Sequence, residues 1–406
     1  MEATTIDTTR PRLRMPGGSG AALSLLAWRD PRVRAVSIAL GAWATFWVAV
    51  SAPHGMYSWH YFATGAHILR SPDAAHVFAA HPELQMGPLT LVVAALITPA
   101  GGAAGVIVAA ATMMLLGVLV LAMLVHVFPL AHGVERLARL LVVGALLTPA
   151  WTVLAVHYGH LDDALALTAT VAATLAMTRS RPWLVAVLLA VATGCKPWAA
   201  PFAVVLLARP RAARHLALFL ALVAVPWVFF VVRDPATLNI TSFAIDVAPD
   251  SALRAFGVSA ASTPAWDRPL QLTLGVALGL WLVRRGRAYA VPFVVLAVRM
   301  LLDPGTYPYY TTGLVVAALL LDITGRDHRL LPRHTVGVVL WLAAGASLNA
   351  MSLPATAGYL RAAYLVASVV LVLVGGRRGA PSPRAPAQRG DTRDDQPRVR
   401  TPVMAG

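Results

Sequence analysis

The sequence predicts an all-α fold, a polytopic bundle of transmembrane helices, on three observations. Hydrophobic residues make up 58% of the 406-residue chain and charged residues 13%, where soluble domains carry about 25% charged. The mean hydropathy is +0.68. The apolar residues come in continuous Leu/Val/Ala blocks, whereas the strands of a transmembrane β-barrel alternate apolar and polar residues. A body this apolar cannot hide its surface in a water-soluble core and is not disordered.

The formal net charge of +15 invites a nucleic-acid reading, but its distribution opposes one. Arginines stand in short runs between apolar blocks: Arg10, Arg12 and Arg14; Arg209, Arg211 and Arg214; Arg284, Arg285 and Arg287; Arg326, Arg329 and Arg333; Arg377 and Arg378. Such runs mark the cytoplasmic loops of a plasma-membrane protein. The lipid bilayer is therefore an expected partner and nucleic acid is not. The single cysteine, Cys195, permits no intramolecular disulfide.

Residues 1–34 are polar and basic and read as a disordered cytoplasmic leader. The membrane domain covers 35–376, and the Pro/Arg/Asp-rich tail 377–406 reads as disordered and cytoplasmic. The first apolar block, 35–52, is an uncleaved anchor, because Pro53 opposes signal-peptide cleavage after Ala52. Residues 53–87 form a polar outer loop carrying Tyr57, Trp59, Tyr61 and Phe62, which suit a membrane interface. The stretch 88–127 is too long for one span and is broken at Pro99-Ala100-Gly101-Gly102. It divides into a short re-entrant or interfacial helix near 88–99 and a full span over 103–127.

Spans follow near 138–156 and 163–178, with the polar run 157–163 between them. Residues 183–208 lie between two basic runs, so they go out and return as two short helices meeting at Gly194-Cys195-Lys196-Pro197. Further spans are expected near 215–233, 269–283, 288–303, 309–324, 335–351 and 359–376. Outer loops lie at 234–268, 303–309 and 351–358. The crossings number about twelve, with both termini cytoplasmic. No internal repeat of the kind found in many transporters is visible.

Three constellations could carry chemistry. Lys196 is the only lysine among 33 basic residues. It sits in an apolar hairpin at a Gly/Pro break, where a compact ammonium suits a phosphate. The alternative is a lysine snorkelling to the headgroups. The second is His157-Tyr158-Gly159-His160-Leu161-Asp162-Asp163. It could bind a sugar through hydroxyl hydrogen bonds, or, as the lesser alternative, a metal. Its bland reading is a helix starting near Leu161 with acidic residues complementing the dipole.

The third is the loop 53–87, with Trp59 and His60, and with Glu83 and Gln85 directly before the short helix. Its five histidines, His54, His60, His67, His76 and His81, lack a tight metal spacing. No metal and no cofactor is expected. Tyr307-Pro308-Tyr309-Tyr310 reads as an aromatic belt or a surface on which a sugar stacks. The loop 234–268, with Asp234, Asp246, Asp250 and Asp267, could cover the site.

In this order the motifs resemble the integral-membrane GT-C glycosyltransferases. The resemblance is closest to glycosyltransferase family 87, the polyprenol-phosphate-mannose-dependent mannosyltransferases of actinobacteria. Ser58-Trp-His-Tyr-Phe-Ala-Thr-Gly65-Ala-His-Ile-Leu69 occupies the family's first outer segment, and Gly87-Pro88 through Pro99 its short Pro-bounded helix. Gly159-His160-Leu161-Asp162 sits where the family has a G-Q-x-N-like motif, and Lys196 with Pro197 and Pro201 matches its hairpin lysine. The resemblance covers roughly residues 35–210.

It implies transfer of a hexose such as mannose from a polyprenyl-phosphate sugar donor to a lipid or glycan acceptor on the outer face. The family's proposed base is an aspartate; spacing back from Gly65 puts Ser58 there. Glu83, Asp162 or His60 is then expected to serve instead. Lys196, His157, His160, Asp163, Trp59 and Gln85 are the expected substrate-binding residues. Two rivals remain open: a secondary transporter, and a non-catalytic membrane protein descended from such transferases.

Overall fold

The computed structural model describes residues 30–127, 134–239, 245–325 and 331–375. Among these residues every regular element is helical. The leader up to residue 29 and the tail 377–406 fall outside the described residues, as does part of the loop 234–268.

Helix α1 (Pro31–Ser51) begins four residues earlier than the apolar pattern suggests. Pro31 takes the first helical position and the Asp30 side chain accepts from the Arg32 N–H at 2.8 Å. Proline fits there because its missing N–H is unsatisfied in any helix. The polar segment 53–87 is largely helical, which its composition did not suggest. It contains α2 (Trp59–Leu69), a 3-10 turn Pro72–His76 and a short turn Val77–Ala80. The apolar side chains Trp59, Phe62 and Ala66 recur at helical spacing and are buried.

Helices α3 (Pro88–Ile97) and α4 (Gly102–Val127) flank the break read from the sequence; Gly101 and Gly102 both have positive φ. Helix α5 (Val134–Thr152) contains Pro149, so the Ala145 carbonyl loses its usual intrahelical donor. Trp43 Nε1 on α1 donates to that carbonyl at 3.1 Å. A π-helical turn, Val153–Tyr158, then leads through Gly159 to α6 (Leu161–Thr178). Helix α7 (Pro182–Cys195) and a 3-10 helix, Pro197–Ala208, meet at Lys196, whose backbone is extended. The chain continues as α8 (Ala212–Arg233), α9 (Asp267–Arg284), α10 (Val291–Leu302), α11 (Pro308–Thr324), α12 (Arg333–Ala350) and α13 (Pro354–Val374).

Among the described residues six helices are long and apolar enough to cross a membrane: α1, α4, α5 with its π turn, α6, α8 and α13. Five further apolar segments are shorter, including 88–100, 182–195 and 197–208. The chain is thus membrane-embedded, with six candidate spans where the sequence suggested about twelve crossings. Segments of 10–17 residues rise only about 15–25 Å as α-helix, short of a hydrocarbon core of about 30 Å. Helix α6 is the most enclosed of the six, whereas α1 buries only Ser51. Leu96, Ile107, Leu115, Val225 and Leu371 are exposed, as lipid-facing side chains are.

Candidate functional site

The site is assembled where three chain breaks meet. Gly159 ends the π turn with φ +68°, a conformation glycine adopts without a Cβ clash. The carbonyls of Val156, His157 and Tyr158, orphaned at that helix end, accept from the N–H groups of Met56, Tyr57 and Ser58 at 2.8–3.1 Å. This ties the segment that follows α1 to the π turn. The second tie is Gly87, whose N–H donates to the Cys195 carbonyl at 2.7 Å; Thr90 Oγ1 donates to the same oxygen at 3.0 Å. A Cβ on Gly87 would lie 2.0 Å from the Gly194 carbonyl oxygen, so only glycine permits this approach. Glu83, Gln85 and Lys196 are thereby brought to one place.

A buried ionic cluster forms there. Helices α6 and α7 run antiparallel, so the first turn of α6 and the end of α7 stand at one level. The Lys196 ammonium donates to Asp162 Oδ2 and lies 3.8 Å from Asp163 Oδ2. Asp162 Oδ1 accepts from the Asp163 N–H at 2.8 Å and from His160 Nδ1 at 3.3 Å. Trp198 Nε1 donates to Asp163 Oδ1 at 3.0 Å. The N-terminal end of α6 adds a favourable dipole for both carboxylates. His160, Asp162 and Asp163 each bring a potential metal-ligand atom within 4.8 Å of the others. Lys196 supplies one positive charge to this trio.

The cluster forms one wall of a cavity of about 360 Å³. Of the residues expected from sequence, Glu83, Gln85, His160, Asp162 and Lys196 line it. Ser58 lines it too, at 6% exposure, in the position where the family aspartate was expected. Four expected residues do not. Asp163 is buried behind Asp162, and Trp59 stacks on Phe62 in the interior. His157 packs its ring on Tyr158, outside the cavity lining. His60 was to reach the Ser58 side if the segment were extended; the segment is helical from Trp59, and His60 is exposed with Nδ1 on the Tyr57 carbonyl at 3.0 Å.

Several lining residues were not singled out as site residues from the sequence. Arg299 on α10 lies over the rings of Tyr310 (4.4 Å) and Trp198 (5.0 Å), with Asp303 Oδ2 at 3.7 Å. The Tyr309 ring stacks on His160 at 3.5 Å, so the Tyr-Pro-Tyr-Tyr motif belongs to the cavity rather than to a lipid belt. Arg268 donates to Gln85 Oε1 at 3.3 Å and has no carboxylate partner among the described residues. Asp267 is 1% exposed; its Oδ2 accepts from Gln271 Nε2 at 2.9 Å and its Oδ1 has no hydrogen-bond partner. Asp267, Arg268 and Gln271 fall at i, i+1 and i+4 of a helix start, and that polar clustering before an apolar helix was the available signal.

Comparison with protein families, curated proteins and solved structures yields no match to this chain.

Proposed function

We propose that the protein is a membrane glycosyltransferase of GT-C type, transferring a hexose such as mannose from a polyprenyl-phosphate donor to a lipid or glycan acceptor. The observation that carries this reading is the composition of one cavity. It combines cations for a phosphate, carboxylates for proton transfer, and the rings of Tyr57, Tyr61, Tyr158, Tyr309 and Trp198, on which a sugar can stack. The arginine runs orient the cavity to the outer face of the plasma membrane, with both termini cytoplasmic.

In the reaction, the acceptor hydroxyl oxygen bonds to the anomeric carbon as the bond from that carbon to the phosphate oxygen breaks. The polyprenyl phosphate leaves with the electron pair, and direct displacement inverts the anomeric configuration. Lys196 is balanced by Asp162, so the developing phosphate charge falls chiefly on Arg268, with Arg299 and Lys196 adding to the local field. Glu83 is held by His81 at 3.1 Å and lies at the cavity edge, where an acceptor enters.

Membranes containing the protein, incubated with radiolabelled polyprenyl-phospho-sugars with and without candidate acceptors, should form an acceptor-dependent labelled product. Donor that neither binds nor turns over would remove the transferase reading. Impermeant cysteine labelling in a Cys195-free background should reach introduced cysteines in 157–163 and 234–268 from outside. Labelling there only after permeabilisation would reverse the orientation.

A further inference from the structure

We propose that Asp267 is the base that takes the acceptor proton. This rests on the transferase reading and names the residue that the sequence left open when Ser58 appeared in place of an aspartate.

Ser58 and four carboxylates, Glu83, Asp162, Asp267 and Asp303, line the cavity. Ser58 keeps its hydroxyl proton at neutral pH and cannot serve without a base of its own. Asp162 accepts from Lys196, His160 and a backbone N–H, so its oxygens are occupied. Asp303 accepts from the Gly305 N–H at 3.0 Å on one oxygen and faces Arg299 with the other. Glu83 is engaged by His81, and its side chain is 36% exposed, so water competes for it. Asp267 differs from all four. Asp267 lines the cavity; one oxygen is fixed by Gln271, and the other is buried with no hydrogen-bond partner among the described residues. An oriented carboxylate with a free buried oxygen is the arrangement a general base requires. Leaving such an oxygen unpaired costs folding free energy, and an acceptor hydroxyl donating to it would relieve that cost.

The charged neighbours agree. Asp303, at the end of α10, and Arg268, on the same helix, face Asp267; the packed 3-10 helix Pro197–Ala208 contributes no charged side chain. Burial, with Asp303 adding to it, pushes the Asp267 carboxyl up to about 6 against the hydrogen bond from Gln271. A base titrating there is ionised at neutral pH yet more basic than an ordinary carboxylate. During transfer the acceptor proton passes to Asp267 Oδ1 as its oxygen bonds to the anomeric carbon, while polyprenyl phosphate departs from the far side.

The test uses the full-length protein in membranes, a labelled polyprenyl-phospho-sugar and the acceptor that supports transfer. Asp267→Asn should lower turnover about 10²–10⁴-fold while polyprenyl phosphate still binds. Wild-type kcat/KM should fall below a pH of about 6. Gln271→Leu, which removes the hydrogen bond that lowers Asp267, should move that acid limb to higher pH; a purely structural role would leave it in place. Wild-type turnover in the asparagine variant, or an acid limb unmoved in the leucine variant, overturns the assignment and leaves the transferase reading standing. A wild-type protein that transfers no sugar sinks both.

Discussion

The two walls of the cavity are built on opposite principles. Around Lys196 the charged groups crowd together: one ammonium, two carboxylates and an imidazole lie within ion-pair reach at the start of α6, with Asp163 Oδ2 accepting no hydrogen bond among the described residues. Around Asp267 and Arg268 the groups are buried or half-buried and less tightly paired: among the described residues one carboxylate oxygen has no hydrogen-bond partner, and the guanidinium donates to a neutral amide. A residue that stands out in a sequence, such as a lone lysine, is therefore not by that fact the reactive one. Lys196 pins the helix ends that shape the pocket, and the free valences for a ligand lie on the other wall.

The sharpest way to break that contrast is Lys196→Ala. It leaves Asp162 and Asp163 buried without their cation, a loss of about 3–5 kcal/mol. We expect a large fall in thermal stability in detergent and poor membrane yield, before any effect on donor affinity can be read. Replacing Lys196 by Met together with Asp162 by Leu should recover much of that stability. An alanine variant as stable as wild type would show that the cluster is not ionised as drawn.

Arg268→Ala is the mirror experiment. Stability should change by no more than about 0.5 kcal/mol. Affinity for polyprenyl phosphate should drop by the worth of a charge-assisted contact, about 1.5–3 kcal/mol, or about 10- to 150-fold. Equal binding by the two proteins would return the phosphate to Lys196 and Arg299.

Gly87→Ala probes the tie between the walls. Its Cβ would collide with the Gly194 carbonyl, so the backbone must shift, at a cost of about 1–3 kcal/mol. Glu83 and Gln85 should move with it, and a protease-sensitive or less stable first loop is the expected readout. An unchanged melting temperature would mean that the contact between Gly87 and Cys195 is dispensable.

The smallest effect is expected at a pair that does not line the cavity. His76 Nδ1 donates to Asp234 Oδ2 at 2.7 Å and holds the carboxyl below its ordinary 3.8. A depressed folded-state value contributes stability above the unfolded value that fades as pH falls through the folded one. Asp234→Asn should therefore slightly flatten the melting temperature's decline below a pH of about 4 and leave transfer unaltered. A steeper decline in the variant would contradict the sign.

Much of the fold was legible because its signals are local. The Gly101-Gly102 break, the helix start at Leu161 and the meeting of two short helices at Lys196 follow from glycine, proline and apolar run length. The helix over Trp59–Leu69 was legible too, through the spacing of Trp59, Phe62 and Ala66, but a histidine-rich composition masked it. The site was legible only in part. Glu83, Gln85, His160, Asp162 and Lys196 were found by unusual chemistry in apolar surroundings. Arg299 and Asp303 carry ordinary charges near an ordinary helix end, and the one local signal for Asp267 and Arg268 is their clustering with Gln271 at a helix start.

By itself, then, the sequence determined a membrane-embedded helical chain, the places where its helices break, and the polar residues those breaks expose. Apolar run length and backbone stereochemistry act over a few residues, so one sequence suffices to read them. Which polar residues share a cavity was decided by tertiary structure alone. Glu83, Lys196 and Arg268 are far apart along the chain, and they converge because Gly87 touches the end of α7 and the start of α9 closes over both. The same long-range packing pairs Lys196 with Asp162 and leaves Asp267 Oδ1 without a hydrogen-bond partner among the described residues. A side chain's partners are set by what folds back onto it from elsewhere, and no local pattern records that.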